Sequence, residues 1–253
     1  MNTNNKIKLL IDFGLQPISN RYLVNPKDQE KLFPLKLGQC QNTGLIQLIE
    51  PFPFEELVPR YDWITYMEPE DHLDDLADSI INLPGISQES VFAGYSFKDD
   101  STLERLKAKG YQRQWRIDPQ KDLGLSDSCT SIETYQSVFN TEKAKQIQEN
   151  NGHVDVMILR HVVEHAYNIS DYIAAINSLV HPNGYIVWEL PDCERALSEG
   201  DCTTVWEEHI HYFTSSTFRE LFRNSGYSII YFESVPYPLE NSIIAIVKKN
   251  KSI

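Results

Sequence analysis

The chain has 253 residues, enough to bury a sizeable core as one large domain or as one domain with an appendage. Its formal charge of −13 argues against nucleic acid as a partner, because affinity for phosphate backbones comes mainly from Lys and Arg. No apolar run reaches the ~20 residues needed to span a bilayer, and Met1–Lys6 lacks the apolar core of a signal peptide, so a cytoplasmic protein without membrane contact is expected.

Residues 1–85 read as a small irregular region, rich in Pro and aromatics, in which Pro51, Pro53 and Pro59 interrupt any long element. Within it, Leu73, Leu76, Ala77, Ile80 and Ile81 repeat at helical spacing and predict a helix over 71–81, stopped by Leu83-Pro84-Gly85. From residue 86 to the end, strands and helices alternate. Strands are expected at 90–96 and 112–118, with a helix over 101–109 between them, then a weak strand at 130–135 and a helix over 141–149. The run Val154-Asp155-Val156-Met157-Ile158-Leu159 is a strand that ends in the polar cluster Arg160 to His165. A helix over 170–180 and the turn His181-Pro182-Asn183-Gly184 lead to a strand at 184–192. Thr214 caps a helix reaching Asn224, and apolar runs at 227–232 and 242–247 close the chain. Such alternation argues for an α/β fold with a mostly parallel sheet, and the last strand pair, with no helix between its members, adds an antiparallel strand.

The four cysteines, Cys40, Cys129, Cys193 and Cys202, form no Cys-x-x-Cys pair, so neither a structural zinc nor a redox dithiol is expected. The segment Val205-Trp206-Glu207-Glu208-His209-Ile210-His211-Tyr212-Phe213-Thr214 places two carboxylates, two imidazoles and a phenol within six residues, just before a helix cap. A histidine there is suited to removing a proton near neutral pH with an adjacent Glu fixing its tautomer; a polar loop beside the cap is the plain alternative.

The strands ending at Arg160 and Asp192 resemble the fourth and fifth strands of class I S-adenosylmethionine-dependent methyltransferases. That resemblance implies a Rossmann-like sheet whose second strand ends in an acid for the ribose hydroxyls of the cofactor, a place taken by Asp118. It also implies a glycine-rich first turn, where this chain has Gly94-Tyr95-Ser96-Phe97-Lys98-Asp99-Asp100 with a single glycine. Asp99 or Asp100 could accept from the cofactor's ammonium or could serve only as helix caps. Arg160 and His161, with Glu164 and His165, are expected to line the cofactor pocket.

The segment Val205 to Thr214 further resembles the Tyr-x-Glu-His-x-x-Tyr-Phe signature of nucleotide-sugar C-methyltransferases, with Trp206 in place of the usual Tyr. Residues 13–22, 33–40 and 44–48 resemble the N-terminal part of that family, including the strands flanking its zinc module. Of that module's cysteines only Cys40 is present, with Gln41, Asn42 and Thr43 following it, so a metal-free remnant packed by aromatics is expected. The resemblance implies methyl transfer from S-adenosylmethionine to a small, sugar-derived, nucleotide-linked acceptor, with His209 as general base supported by Glu208 and Tyr212. An oxygen acceptor on another metabolite, or a non-catalytic binding protein of the same fold, are the alternatives. The glycine-poor first turn is the feature that favours the last.

Overall fold

The computed structural model describes residues 6–19, 21–58, 68–125 and 131–250, and these fold around two sheets. Strands β1 (Ile7–Pro17), β2 (Leu32–Cys40) and β3 (Ile46–Leu48) make an antiparallel meander, so the N-terminal region is not irregular. Pro51 and Pro53, expected to interrupt any long element, follow β3, Pro17 closes β1, and Pro34 lies within β2 near a register irregularity of its pairing with β1. A small core of Ile18, Phe52 and Leu57 packs with Phe33 and Leu35 beneath this sheet, supplying the aromatic packing anticipated for it. Pro59 lies outside the described residues.

After the short helix α1 (Phe54–Leu57) come α2 (Leu73–Ile81), β4 (Phe92–Gly94), α3 (Asp100–Ala108) and β5 (Gln114–Arg116). The chain continues through α4 (Ile132–Val138), α5 (Thr141–Asn151), β6 (Val154–Arg160), α6 (Ile169–Leu179) and β7 (Val180–Asp192). It ends with α7 (Glu194–Glu199), β8 (His211–Tyr212), α8 (Ser215–Asn224), β9 (Tyr227–Val235) and β10 (Asn241–Lys249). The second sheet has the order β5-β4-β6-β7-β10-β9. Its first four strands are parallel, and β10 runs antiparallel to both of its neighbours, giving the expected Rossmann-like α/β sheet.

Strand periodicity divides the core between the two faces of this sheet. Val156, Ile158, Tyr185, Val187, Ile244 and Ile246 face α2 and α3, while Met157, Leu159, Trp188, Leu190, Ile243 and Ala245 face α4, α5, α6 and α8. Helix α2, which the sequence reading grouped with residues 1–85, thus packs on the sheet of the second part.

Two local expectations are corrected. The weak strand at 130–135 is helix α4: Ser131 and Thr134 form a capping box, and Ile132, Tyr135 and Phe139 are buried at helical spacing. The turn at His181–Gly184 belongs to β7, as an irregularity of register between Val154 and Val156. Gly184 is required there, because a Cβ would stand 2.7 Å from Val180 Cγ1 and 2.8 Å from the Asp155 carbonyl oxygen. Among the described residues no helix is long and apolar enough to cross a membrane.

Candidate active site

At the carboxyl edge of the parallel strands, β4 ends in Gly94, and a one-turn 3-10 helix (Phe97–Asp99) folds back onto it. A Cβ on Gly94 would lie 2.9 Å from that of Asp99, so the glycine makes room for the aspartate rather than for a ligand. Asp99 is 0% exposed. Its carboxylate accepts from the backbone N–H groups of Tyr95, Ser96 and Arg160 at 2.7–2.8 Å. The acceptors and donors of this turn are therefore spent on one another. Gly94 and Asp99 thus shape the turn, the capping role that was one of the two weighed for Asp99.

Arg160 is likewise turned inward. It is 1% exposed, and its guanidinium meets Glu189 of β7 at 2.6 and 3.2 Å and donates to the carbonyls of Lys98 and Pro69. Glu189 also lies 3.2 Å from both His72 and His161. Burial works against its charge, but the hydrogen bonds of His161 and His72 and the Arg160 charge outweigh it and hold the carboxyl well below its usual range. His161 has a left-handed backbone, φ +50°, held by its N–H donating to the Glu189 carbonyl oxygen at 2.7 Å. Strained backbone of this kind clusters at functional sites.

Asp118 stands exposed just past β5. One of its oxygens accepts from the N–H groups of Gln120 and Lys121, the turn role weighed from sequence; the other accepts no hydrogen bond among the described residues. Asp100 is partly exposed and pairs with Arg116 at 2.7 Å.

The segment rich in His and Glu reaches this edge because β8 pairs antiparallel with β3, making it the fourth strand of the N-terminal sheet. Ser19 donates its N–H and hydroxyl to Glu207 at 2.6 and 2.8 Å. The Ile210 N–H donates to the Glu164 carbonyl oxygen and its own carbonyl accepts from Leu48 N–H, so one residue joins the two halves of the molecule. His211 turns inward, its Nε2 3.0 Å from the Ala166 carbonyl oxygen, and burial pushes it down to about 4. Tyr212 is buried as well: its hydroxyl donates to the Trp206 carbonyl and accepts from the Trp206 N–H. Its phenol therefore pins the 206–212 loop and does not enter the cavity.

Glu208 and His209 do reach the cavity, which measures about 300 Å³ and is also lined by Glu68, Lys98, His161, Glu164, His165 and Trp206. Through Glu68, His161, Pro191 and Glu240 it continues into a more open hollow of about 510 Å³. A larger hollow of about 560 Å³ lies at the opposite edge of the sheet, around His153, His181 and Tyr227. Burial and the neighbouring Glu133 charge push Glu208 up to about 7. Burial and the neighbouring His165 charge hold His209 well below its usual value. Behind His165, Glu133 of α4 lies 2.8 Å from Nδ1, and although burial opposes both charges, their mutual attraction lowers the carboxyl and raises the imidazole.

Sequence reasoning missed Glu68, Lys98, Glu133 and Glu240. Glu133 was hidden by the strand expected over 130–135, Lys98 stands in the first turn, where only the glycine and the aspartates were weighed, and Glu68 and Glu240 come from segments with no motif of their own.

Comparison with known proteins bears on the family and the fold. Residues 3–57 match the family model described as "Putative zinc binding domain", although the matched stretch contains one cysteine, Cys40, and no histidine. The C-methyltransferase NovU of Streptomyces niveus is 22% identical over 225 residues, covering 87% of this chain and 53% of that protein, so the chain spans about half the length of its curated relative. A chain of the "Complex between the Haloferax volcanii Trm112 methyltransferase activator and the putative methyltransferase" shares the fold, with a TM-score of 0.50 and 12% identity over 72% of this chain and 91% of that one. The Burkholderia thailandensis 1,6-didemethyltoxoflavin-N1-methyltransferase, with bound 1,6-didemethyltoxoflavin and S-adenosylhomocysteine, gives a TM-score of 0.47 at 11% identity over 72% of this chain and 78% of its own. Residues 96–231 match the family model described as "Methyltransferase domain". With more than half of its residues in that match, the chain belongs to the methyltransferase-domain family.

Proposed function

We propose that the protein transfers a methyl group from S-adenosylmethionine to a small, sugar-derived acceptor, with His209 as the general base. The observation that carries this reading is the cavity at the carboxyl edge of the sheet, where Glu208 and His209 of the signature segment meet the residues that follow β6. S-adenosylmethionine, the methyl donor of this family, supplies an electrophilic methyl group on a sulfonium. Asp118 fits its nucleoside end: its second carboxylate oxygen, exposed at the end of the second strand of the alternation and without a hydrogen bond among the described residues, can accept from a ribose hydroxyl. The first turn offers less, since the donors of Tyr95 and Ser96 are already satisfied by Asp99.

His209 takes the acceptor's proton from the rim of the cavity. Glu208 beside it receives or returns that proton, and Tyr212 acts as a positioning residue through Trp206. A nucleotide-linked sugar, with its ring in the cavity and the remainder along the adjoining hollow, is the acceptor this reading favours. The N-terminal sheet works without zinc, held by its own apolar core.

Calorimetric titration with S-adenosylmethionine, followed by turnover on nucleotide sugars, tests the reading. Asp118→Ala should weaken donor affinity roughly tenfold to a hundredfold, and His209→Asn should lower turnover about 10²–10⁴-fold with donor affinity little changed. Absence of any donor binding would overturn the reading in favour of a non-catalytic protein, for which the spent donors of the first turn speak.

A further inference from the structure

We propose that Glu164, His165 and His209 form a binding site for a divalent transition-metal ion, with Glu133 as the carboxylate that orients His165. The potential ligand atoms of the three residues lie within 4.8 Å of one another. Around a tetrahedral ion with bonds of about 2.0–2.1 Å, ligand atoms stand roughly 3.3 Å apart, so side-chain rotations closing the cluster by ~1.5 Å complete the site.

Three further observations point to a cation there. First, Glu164 is 2% exposed, and neither of its carboxylate oxygens has a hydrogen-bond partner among the described residues. A buried carboxylate without hydrogen bonds is expensive, and its nearest basic neighbours, His161 Nδ1 and His165 Nε2, are 3.8 and 3.9 Å away. Second, Glu133 lies 2.8 Å from His165 Nδ1 and Glu164 3.9 Å from its Nε2, so a carboxylate flanks each ring nitrogen while neither nitrogen makes a well-aligned hydrogen bond among the described residues. A carboxylate behind the second ring nitrogen is the arrangement that fixes a metal-binding histidine. Third, the cavity is lined by the carboxyl groups of Glu68, Glu164, Glu208 and Glu240 together with the imidazoles of His161, His165 and His209, so oxygen and nitrogen ligands converge on one space.

Two imidazoles and one carboxylate select zinc, cobalt, iron or manganese over magnesium or calcium, and the cavity leaves the remaining coordination positions open to water or an acceptor oxygen. Binding exchanges any proton held on a ligand nitrogen for the metal, and that proton leaves to solvent. Cys40, the one cysteine at the place of the N-terminal zinc module, is not among the residues of this site. Once coordinated, His209 has no lone pair left to take a proton, so the metal-loaded and base-competent states exclude one another.

The test is titration of the full chain, stripped with a chelator and desalted, with Co²⁺ followed by its visible absorption and with Zn²⁺ followed by calorimetry. Neither donor nor acceptor is present, so the result is independent of whether methyl transfer is found. One equivalent should bind. Glu164→Gln and His209→Asn should each weaken binding by at least about a hundredfold, Glu133→Gln by about 10–100-fold, and Cys40→Ser should change nothing. His209 is only half-buried, so His209→Asn gives a folded variant, checked by circular dichroism, even if Glu164→Gln does not fold. Failure to bind one equivalent, binding that survives His209→Asn, or binding lost in Cys40→Ser overturns the proposal.

Discussion

A single carboxylate, Glu68, ties the segment before α2 to the first strand-to-helix turn. It accepts from Lys98 Nζ at 2.7 Å and lies 3.5 Å from His161 Nδ1. Burial raises its carboxyl, but the charges of His161, Lys98 and Arg160 outweigh burial and hold it at about 2, against 4.5 in an unperturbed side chain. Because the folded value is the lower one, the stability it contributes is present above pH 4.5 and is lost as pH falls towards 2. At about 1.4 kcal/mol per unit, Glu68→Gln should cost roughly 3 kcal/mol at pH 7. In urea titrations the gap between the variant and the parent should then close between pH 4.5 and 2. A gap independent of pH would mean that packing, not charge, holds Glu68. Arg160 and Glu189 belong to the same residue-level logic: a buried pair is weak evidence of net stability, yet losing one partner strands the other.

Among the elements, the loop before β8 decides where Glu208 and His209 point. It is closed by both hydrogen bonds of the Tyr212 hydroxyl to the Trp206 backbone, and Trp206 itself is 46% exposed. Water can therefore replace part of what Tyr212→Phe removes, and the stability loss should be modest, about 1–2 kcal/mol for two neutral hydrogen bonds. Turnover should fall while donor affinity, read by calorimetry, stays where it was. If turnover is unaffected, the phenol does not position the loop. The neighbouring first turn shows the same economy of polar groups, since Asp99 satisfies three backbone donors that a glycine-rich loop would leave to a ligand.

For the whole molecule, the cavity forms where a strand from the second half of the chain completes the N-terminal sheet. β8 comes from the second half of the chain and pairs with β3, Glu207 accepts from Ser19, and Leu48 donates to Ile210. A variant lacking residues 1–49 leaves the larger sheet its full complement of strands but takes away these anchors. It should keep its donor affinity and lose turnover by at least the ~10²-fold that a positioned base contributes. Normal turnover in that variant would show that the second half orients His209 alone.

The larger sheet was legible in the sequence because its strands and helices declare themselves locally. The apolar run Val154–Leu159 ending in Arg160 and the Thr214 cap before α8 need no distant partner to be recognised. The signature at 206–213 carried its family resemblance on residue types alone. Tertiary structure decided what those residues do. Asp99 and Arg160 look like ligands in one dimension and prove to be buried supports, because Glu189 and the backbone donors they satisfy come from other strands. The short helix α4 and the strand β8 depend on a capping box and a ladder partner whose weight against local propensity is set only by packing. Glu68, Glu133, Lys98 and Glu240 met His165 and His209 by the same route, since burial and proximity are properties of the folded chain rather than of any local run of residues.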